Sequence, residues 1–118
     1  GSCLKPGAHL DLIGAWRGDM READDTALAR SRLFVDTRSG METNGEIARA
    51  VASGAIGLGH VQGDLYDLCS GRVAGRRSGG EITCFKNIGG AHLDLFTAEA
   101  LSARFDASAP DCPPLRSS

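Results

Sequence analysis

The chain has 118 residues, a length that suits one compact domain with its own hydrophobic core. Its net charge of −2 excludes the concentrated basic surface that nucleic-acid binding requires. No apolar run approaches the ~20 residues of a membrane-spanning helix, so we expect neither nucleic acid nor a membrane among its partners.

The first residues predict a turn and then a strand. Gly1 and Ser2 resemble the remnant left by tag removal, so residues 1–3 are set apart and the domain is expected to span residues 4–105. His9–Ile13 is a short, largely apolar run that ends at a glycine, which is typical of a strand. We therefore place the first strand there.

A charge-dense loop follows this strand. It contains Trp16, Arg17 and the neighbours Arg21 and Glu22, and it begins beyond the carboxyl end of a strand, where ligands bind in open α/β sheets. The forked donors of Arg17 suit a carboxylate or an amide, which makes the loop a candidate binding segment. A solvated loop with an ion pair between Arg21 and Glu22 is the alternative, and the residues alone leave both open.

A short helix and a second strand are expected next. Asp24 or Asp25 can cap a helix that runs to about Ser31. Leu33–Val35 is a compact apolar run, which predicts a strand.

A second helix is predicted after this strand. Thr43 and Glu46 have the spacing of a capping box, in which the hydroxyl and the carboxylate cap each other's backbone N–H groups. Ile47 and Ala50 follow at helical spacing, and Gly54 is expected to end the helix.

Residues 55–63 are rich in glycine and predict an irregular connector. Gly57 and Gly59 begin a sequence similar to the dinucleotide fingerprint G-x-G-x-x-G, but Gln62 stands where the third glycine is required. The fingerprint must also follow a strand and open a helix, and only Ala55 and Ile56 precede it. We therefore expect no dinucleotide site in this segment.

The rest of the chain predicts a helix, a strand and a long final helix. The expected order is a helix at 64–70, a loop at 73–80, a third strand at 81–85, a helix from Gly89-Gly90 to residue 105, and a disordered tail at 106–118. Apolar residues of the last helix follow the 3.6-residue period, which predicts one apolar face at Leu93, Phe96, Ala100, Leu101 and Phe105.

Strands that alternate with helices are typical of βαβ units and a parallel sheet. The predicted fold class is α/β, a partial Rossmann-like three-layer arrangement with a short parallel sheet flanked by helices. Three strands leave such a sheet poorly covered, because parallel sheets normally have helices on both faces and neighbours along their edges. We therefore expect part of a larger fold, or an oligomer.

The cysteines and histidines predict no metal site. The four cysteines form no C-x-x-C pair, and no histidine lies at zinc-ligand spacing from a cysteine pair. Reduced thiols and a cytoplasmic location are expected, with Cys84 buried in the third strand. The histidines are expected to be partly buried polar residues.

Two blocks of residues together resemble the ornithine cyclodeaminase/mu-crystallin family. Residues 6–22 carry P-G-x-H and R-x-D-x-R-E, and residues 83–89 carry T-x-F-K-x-x-G. The order and spacing match from roughly Leu4 to Phe105. The two blocks are specific together, although either alone would be a weak signal.

The resemblance implies the second half of a Rossmann domain from an NAD(P)-dependent, usually homodimeric protein. Members of the family convert ornithine to proline, reduce cyclic ketimines or oxidise alanine-type amino acids. Their glycine fingerprint and the basic side chains that bind the substrate carboxylate would lie before Leu4. We therefore expect NAD or NADP in the full-length protein, no cofactor for this chain alone, and a homo-oligomer.

The same resemblance implies three cofactor-binding residues and no assigned catalytic residue. Trp16 and Arg17 would flank the nicotinamide, and Asn87 replaces a serine of F-K-S-x-G that approaches it. Trp16 also stands where the cyclodeaminase branch has an acidic residue. The run from Arg17 to Asp19 looks like the R-P-D of the reductase and dehydrogenase branch, with Gly18 in place of proline.

Two functions remain open from the sequence. The first is a truncated member of this family, in full-length form an NAD(P)-dependent oxidoreductase or cyclodeaminase, and inactive alone. The second is a non-catalytic oligomerising or binding module derived from the same fold.

Overall fold

The computed structural model describes residues 1–108, in which strands alternate with helices. The elements are β1 (His9–Leu12), α1 (Asp25–Arg30), β2 (Arg32–Val35), α2 (Gly45–Ala52), β3 (Val61–Asp64), α3 (Leu65–Cys69), β4 (Thr83–Lys86) and α4 (Ala91–Ser108). Within these residues, no helix is both long and apolar enough to cross a membrane.

The four strands form one parallel sheet in the order β1-β4-β2-β3. β4 is last in the sequence but lies between β1 and β2, with Leu10 opposite Cys84 and Cys84 opposite Leu33. Because the strands are parallel, all four end at the same edge of the sheet, and the loops that follow them meet there. The predicted α/β class with a short parallel sheet is confirmed.

The hydrophobic core lies between one face of this sheet and the helices α1 and α2. Alternate strand residues point to this face, since successive side chains of a strand point to opposite sides. The core consists of Leu12, Leu28, Leu33, Val35, Met41, Ile47, Ala50, Ile56, Val61 and Cys84. Cys84 is fully buried as expected, and burial raises the pKa of its thiol to about 12.

The opposite face of the sheet carries a shallow apolar groove of about 460 Å³. Phe34 and Phe85 line the groove together with Leu68 from α3 and Gly75 from the loop that follows. α3 and this loop therefore form a partial third layer.

The segment 55–63 is not wholly irregular, and the prediction of only three strands was wrong. Val61–Asp64 pairs with β2, with an irregularity in register between Leu33 and Phe34. A Cβ at Gly63 would lie 3.2 Å from the Cβ of Asp67, so this glycine allows the close approach of α3 to the strand. The run carries too few apolar residues to show a strand period, which is why the sequence concealed it.

The capping box at α2 was also predicted at the wrong residue. Asn44 is the N-cap, and its side-chain oxygen accepts the Glu46 N–H at 3.1 Å. The Thr43 hydroxyl instead donates to the Gly40 carbonyl at 3.0 Å. The helix ends as expected, with Gly54 at a φ of 76° just beyond it.

α4 extends away from the α/β body, and the chain measures 65 × 33 × 27 Å. Leu93 is half-buried, whereas Leu95, Phe96, Leu101 and Phe105 are at least half exposed. The prediction of a single apolar face does not describe all apolar residues of this helix, because Leu95 lies on the side opposite Leu93. α4 continues to Ser108, past the predicted end at residue 105, and the rest of the predicted tail, 109–118, lies outside the described residues.

Candidate functional site

A cleft of about 410 Å³ opens at the carboxyl edge of the sheet. Loops that follow β1, β2 and β4 form its walls, and the start of α4 closes one side. The lining residues are Trp16, Thr37, Ser39, Gly40, Thr43, Asn44, Ile88, Gly89, Gly90 and His92. We take this cleft as the candidate binding site for two reasons. It lies at the carboxyl edge of the sheet, and its lining combines hydroxyl groups, one indole and the exposed backbone of glycines.

Glu22 links the loop that follows β1 to the strand β4. Its Oε1 accepts the Gly14 N–H at 2.7 Å, and its Oε2 accepts the Ala15 N–H at 2.8 Å. The Nζ of the fully buried Lys86 lies 2.9 Å from the same Oε2 and donates to the Leu12 carbonyl at 3.4 Å. Burial acts to raise the pKa of Glu22, but the Ala15 N–H, the Lys86 ammonium and the Gly14 N–H together lower it to about 2. The carboxylate is therefore ionised near neutral pH.

Glu46 holds the next turn of the same loop. Its fully buried side chain accepts the Glu22 N–H at 2.9 Å and the Ala23 N–H at 2.8 Å. The Nε of Arg21 lies 3.7 Å from Glu46, and its guanidinium pairs with Asp25. The suggested ion pair between Arg21 and Glu22 was therefore wrong, because each side chain has a different partner.

The start of α2 packs directly against this loop. A Cβ at Gly45 would lie 2.5 Å from the Arg17 carbonyl oxygen and still closer to that of Met20, so only glycine fits there. The Nδ2 of Asn44 donates to the Ala15 carbonyl at 3.1 Å. The N-terminus of α2 is thus part of the support for the loop that carries Trp16.

The wall that follows β4 is organised by Asp36. Its buried carboxylate accepts the Ile88 N–H at 2.6 Å and the Gly90 N–H at 2.9 Å. The side-chain oxygen of Asn87 accepts the Gly89 N–H at 2.7 Å. These three consecutive N–H groups are therefore already bonded, so this wall is a fixed surface and not a cradle for an anion.

His92 closes the cleft at the start of α4. Its ring lies 5.6 Å from the Tyr66 ring and meets the Phe96 ring edge-on at 6.1 Å. The Nε2 of His92 is buried and has no hydrogen-bond partner within residues 1–108. Across the same residues, the structure shows no group of His, Cys, Asp or Glu side chains that could hold a metal ion.

The three candidate cofactor-binding residues occupy different positions. Trp16 lines the cleft and is 67% exposed. Arg17 is adjacent but bonded to Asp19, with its guanidinium 5.8 Å from the Trp16 ring. Asn87 does not line the cleft itself, although the next three residues do. Their proposed contacts with a nicotinamide remain predictions.

Sequence reasoning missed the acidic and basic groups that build the cleft. Asp36 directly follows β2 and Lys86 ends β4, and both are fully buried. A charged residue at the end of an apolar strand is the signal that could have found them, because burial of a charge at that point requires partners. The partners themselves lie 52 or more residues away in sequence and could not be paired from spacing.

Comparison with known proteins gives consistent matches. The model of the ornithine cyclodeaminase/mu-crystallin family matches residues 1–108. The chain is 52% identical over 106 residues to the Δ1-pyrroline-2-carboxylate reductase of Paracoccus denitrificans. The matched region covers 86% of this chain and 33% of that protein. It therefore spans about a third of the length of the curated relatives that it matches.

Two solved structures share its fold. The Δ1-pyrroline-2-carboxylate reductase of Thermococcus litoralis, in complex with NADH and L-proline, matches with a TM-score of 0.79 and 30% identity over 89% of this chain and 33% of that one. An archaeal alanine dehydrogenase dimer with bound NAD matches with a TM-score of 0.75 and 30% identity over the same shares.

Proposed function

Because the chain belongs to the ornithine cyclodeaminase/mu-crystallin family, we propose that it forms the nicotinamide side of an NAD(P)-dependent reductase of cyclic 2-carboxylate ketimines. The 52% identity to a Δ1-pyrroline-2-carboxylate reductase supports this substrate class over ornithine. The observation that carries the proposal is Trp16 on the wall of the cleft, at the position where the cyclodeaminase branch has an acid.

The residues of the cleft fit a nicotinamide. Trp16 and Ile88 offer apolar surface to a flat ring, and Gly89 and Gly90 leave the backbone uncovered beside it. The hydroxyls of Thr37 and Ser39, in the loop after β2, can donate to and accept from a carboxamide, and the Thr43 hydroxyl, which donates to Gly40, can accept. When bound, a reduced nicotinamide supplies the hydride that a ketimine carbon accepts.

The chain's own residues would hold and shield this ring. Trp16 covers the cleft from solvent on one side, which favours hydride transfer over reactions with water. The charge of Arg17 is already balanced by Asp19, so we propose that it supports the indole more than it binds a substrate carboxylate. Asn87 fixes the turn that presents Gly89.

A non-catalytic oligomerising or binding module is the alternative function. The exposed apolar side chains of α4 favour it, because a large exposed apolar surface normally marks a contact with another protein.

Cofactor affinity is expected to be low for this chain by itself, because its sequence contains no G-x-G-x-x-G turn to bind a pyrophosphate. For this chain alone we expect a dissociation constant for NADH weaker than roughly 10 µM, which calorimetry can measure, and no turnover of cyclic imines.

A chimera tests the proposed activity. The matching third of the Paracoccus denitrificans reductase would be replaced by residues 4–105 of this chain, and cofactor oxidation followed with Δ1-pyrroline-2-carboxylate. We expect reduction at a rate comparable with the parent enzyme, retained in Trp16→Phe and lost in Trp16→Asp. A folded chimera that binds NADH but does not reduce the ketimine would contradict the proposal and favour the binding module.

A further inference from the structure

One ion pair, between the fully buried Lys86 and the partly exposed Glu22, links the loop after β1 to the end of β4. Lys86 ends β4, directly before the turn that begins at Asn87, and its Nζ lies 2.9 Å from Glu22. The carboxylate of Glu22 binds the N–H groups of Gly14 and Ala15, directly before Trp16. The pair therefore connects the end of β4 to the backbone that carries the indole.

The position of the Trp16 indole is set through this backbone. Trp16 is 67% exposed, and the Arg17 guanidinium at 5.8 Å is the one ring contact of its indole within the described part of the chain. Ala15, in contrast, is only 2% exposed; its N–H is bound to Glu22 and its carbonyl accepts from Asn44. Fixing Ala15 therefore fixes the point from which the indole extends.

Only a carboxylate can make the contacts of Glu22. It accepts two backbone N–H groups and an ammonium, whereas an amide has one accepting oxygen and would turn an NH₂ group toward a donor. An ion pair with one buried partner is weak evidence for stability, because desolvation of that partner offsets much of the attraction between the charges. The hydrogen-bond geometry of the Glu22 carboxylate explains better than stability why Glu22 and Lys86 lie at this point.

We propose that Lys86 and Glu22 are a positioning pair, which locks the Gly14–Ala15 backbone to the end of β4 and so places Trp16 on the wall of the cleft. Its role in catalysis rests on the proposed function, since the placed indole would meet the nicotinamide. Neither residue contacts the reacting atoms. Loss of either charge is expected to release the loop after β1 while the sheet stays intact.

NMR on this chain tests the pair without any cofactor. Trp16 is the one tryptophan, so the protein gives a single indole N–H resonance. The variants are Glu22→Gln and Lys86→Met. The matched control is Glu81→Gln, because Glu81 also accepts a backbone N–H and pairs with an arginine, Arg77, but precedes β4 at the other end of the sheet.

We expect both test variants to shift or broaden the indole resonance and to lower hydrogen-exchange protection of Gly14 and Ala15 by about tenfold or more, as for loss of a charge-assisted bond. Protection of Leu33 and Val35 in β2 should fall by a clearly smaller factor, no larger than the loss of global unfolding free energy accounts for. Glu81→Gln should leave the indole, Gly14 and Ala15 unchanged.

Two results would overturn the proposal. One is a folded Glu22→Gln protein with an unchanged indole resonance and full protection at Ala15. The other is an equal loss of protection at Ala15 and Val35, which would make the pair a general stabiliser. Should Lys86→Met fail to fold, Glu22→Gln decides, because its side chain is 28% exposed and tolerates change better. Failure of the chimera would leave these outcomes untouched.

Discussion

At the scale of single residues, the cleft is built by carboxylates that each bind two backbone N–H groups. Glu22, Asp36 and Glu46 share this arrangement, and each fixes a different loop. A carboxylate is well suited to the task because its two oxygens accept strong, charge-assisted bonds in parallel.

The lowered pKa of Glu22 makes part of the protein's stability depend on pH. Its folded pKa of about 2 is below its ordinary value of 4.5, so the stabilisation is complete above about pH 4.5 and is lost as the pH falls toward 2. Urea denaturation across this range should show a smaller loss of unfolding free energy in Glu22→Gln than in wild type. The exposed Glu42 gives the control, and Glu42→Gln should follow wild type. Identical pH profiles for wild type and Glu22→Gln would refute this assignment.

At the scale of the elements, the cap of α2 joins helix stability to the site. Asn44 caps the helix through Glu46, and its side-chain amide also donates to Ala15 under the loop that carries Trp16. The sequence pattern predicted Thr43 as the cap instead, but the Thr43 hydroxyl donates to the Gly40 carbonyl in the turn before the helix. The tertiary contact with Ala15 accompanies the cap at Asn44, because the amide accepts from the helix through its oxygen and donates to the loop through its nitrogen.

Alanine substitutions distinguish these two caps. Asn44→Ala should cost about 1–2 kcal/mol of unfolding free energy, since it removes a cap and leaves the Ala15 carbonyl without this donor. Thr43→Ala, at an exposed position, should cost less than about 0.5 kcal/mol. Chemical denaturation measures both values. An equal cost for the two substitutions would restore the capping box predicted from the sequence.

At the scale of the whole molecule, the long helix α4 leaves apolar surface without cover. Leu95, Phe96, Leu101 and Phe105 are all exposed, and β1 has a partner on only one side within residues 1–108. Exposed strand edges and large apolar patches both favour association. The alanine dehydrogenase whose fold is similar is a dimer, and this chain is proposed to associate with a second copy through α4 or through β1.

Light scattering over a range of concentrations tests this association. We expect a mass above that of the monomer, with an interface on the order of 1,200–2,000 Å², and a shift toward monomer in Phe96→Glu. Ala98→Glu adds the same charge on the opposite side of α4 and should have the smaller effect. A monomeric wild-type chain at every concentration, with cooperative melting, would show that the domain needs no partner.

Local signals in the sequence determined the class of this fold and the places of most of its elements. Apolar runs that end at Gly14 and Asp36 predicted β1 and β2, and Asp24 and Gly54 predicted where a helix begins and another ends. The motifs around Arg17 and Lys86 also predicted the family, which the match over residues 1–108 confirms. These features depend on neighbours in sequence, so spacing alone could reveal them.

Only the tertiary structure decided which residues build the site. Val61–Asp64 becomes a strand because it pairs with β2, and its own residues carry little strand period. Lys86 meets Glu22 across 64 residues of chain, and Asp36 meets Gly90 across 54. The parallel sheet causes both contacts, since it brings the carboxyl ends of distant strands to one edge, where buried charges must find partners.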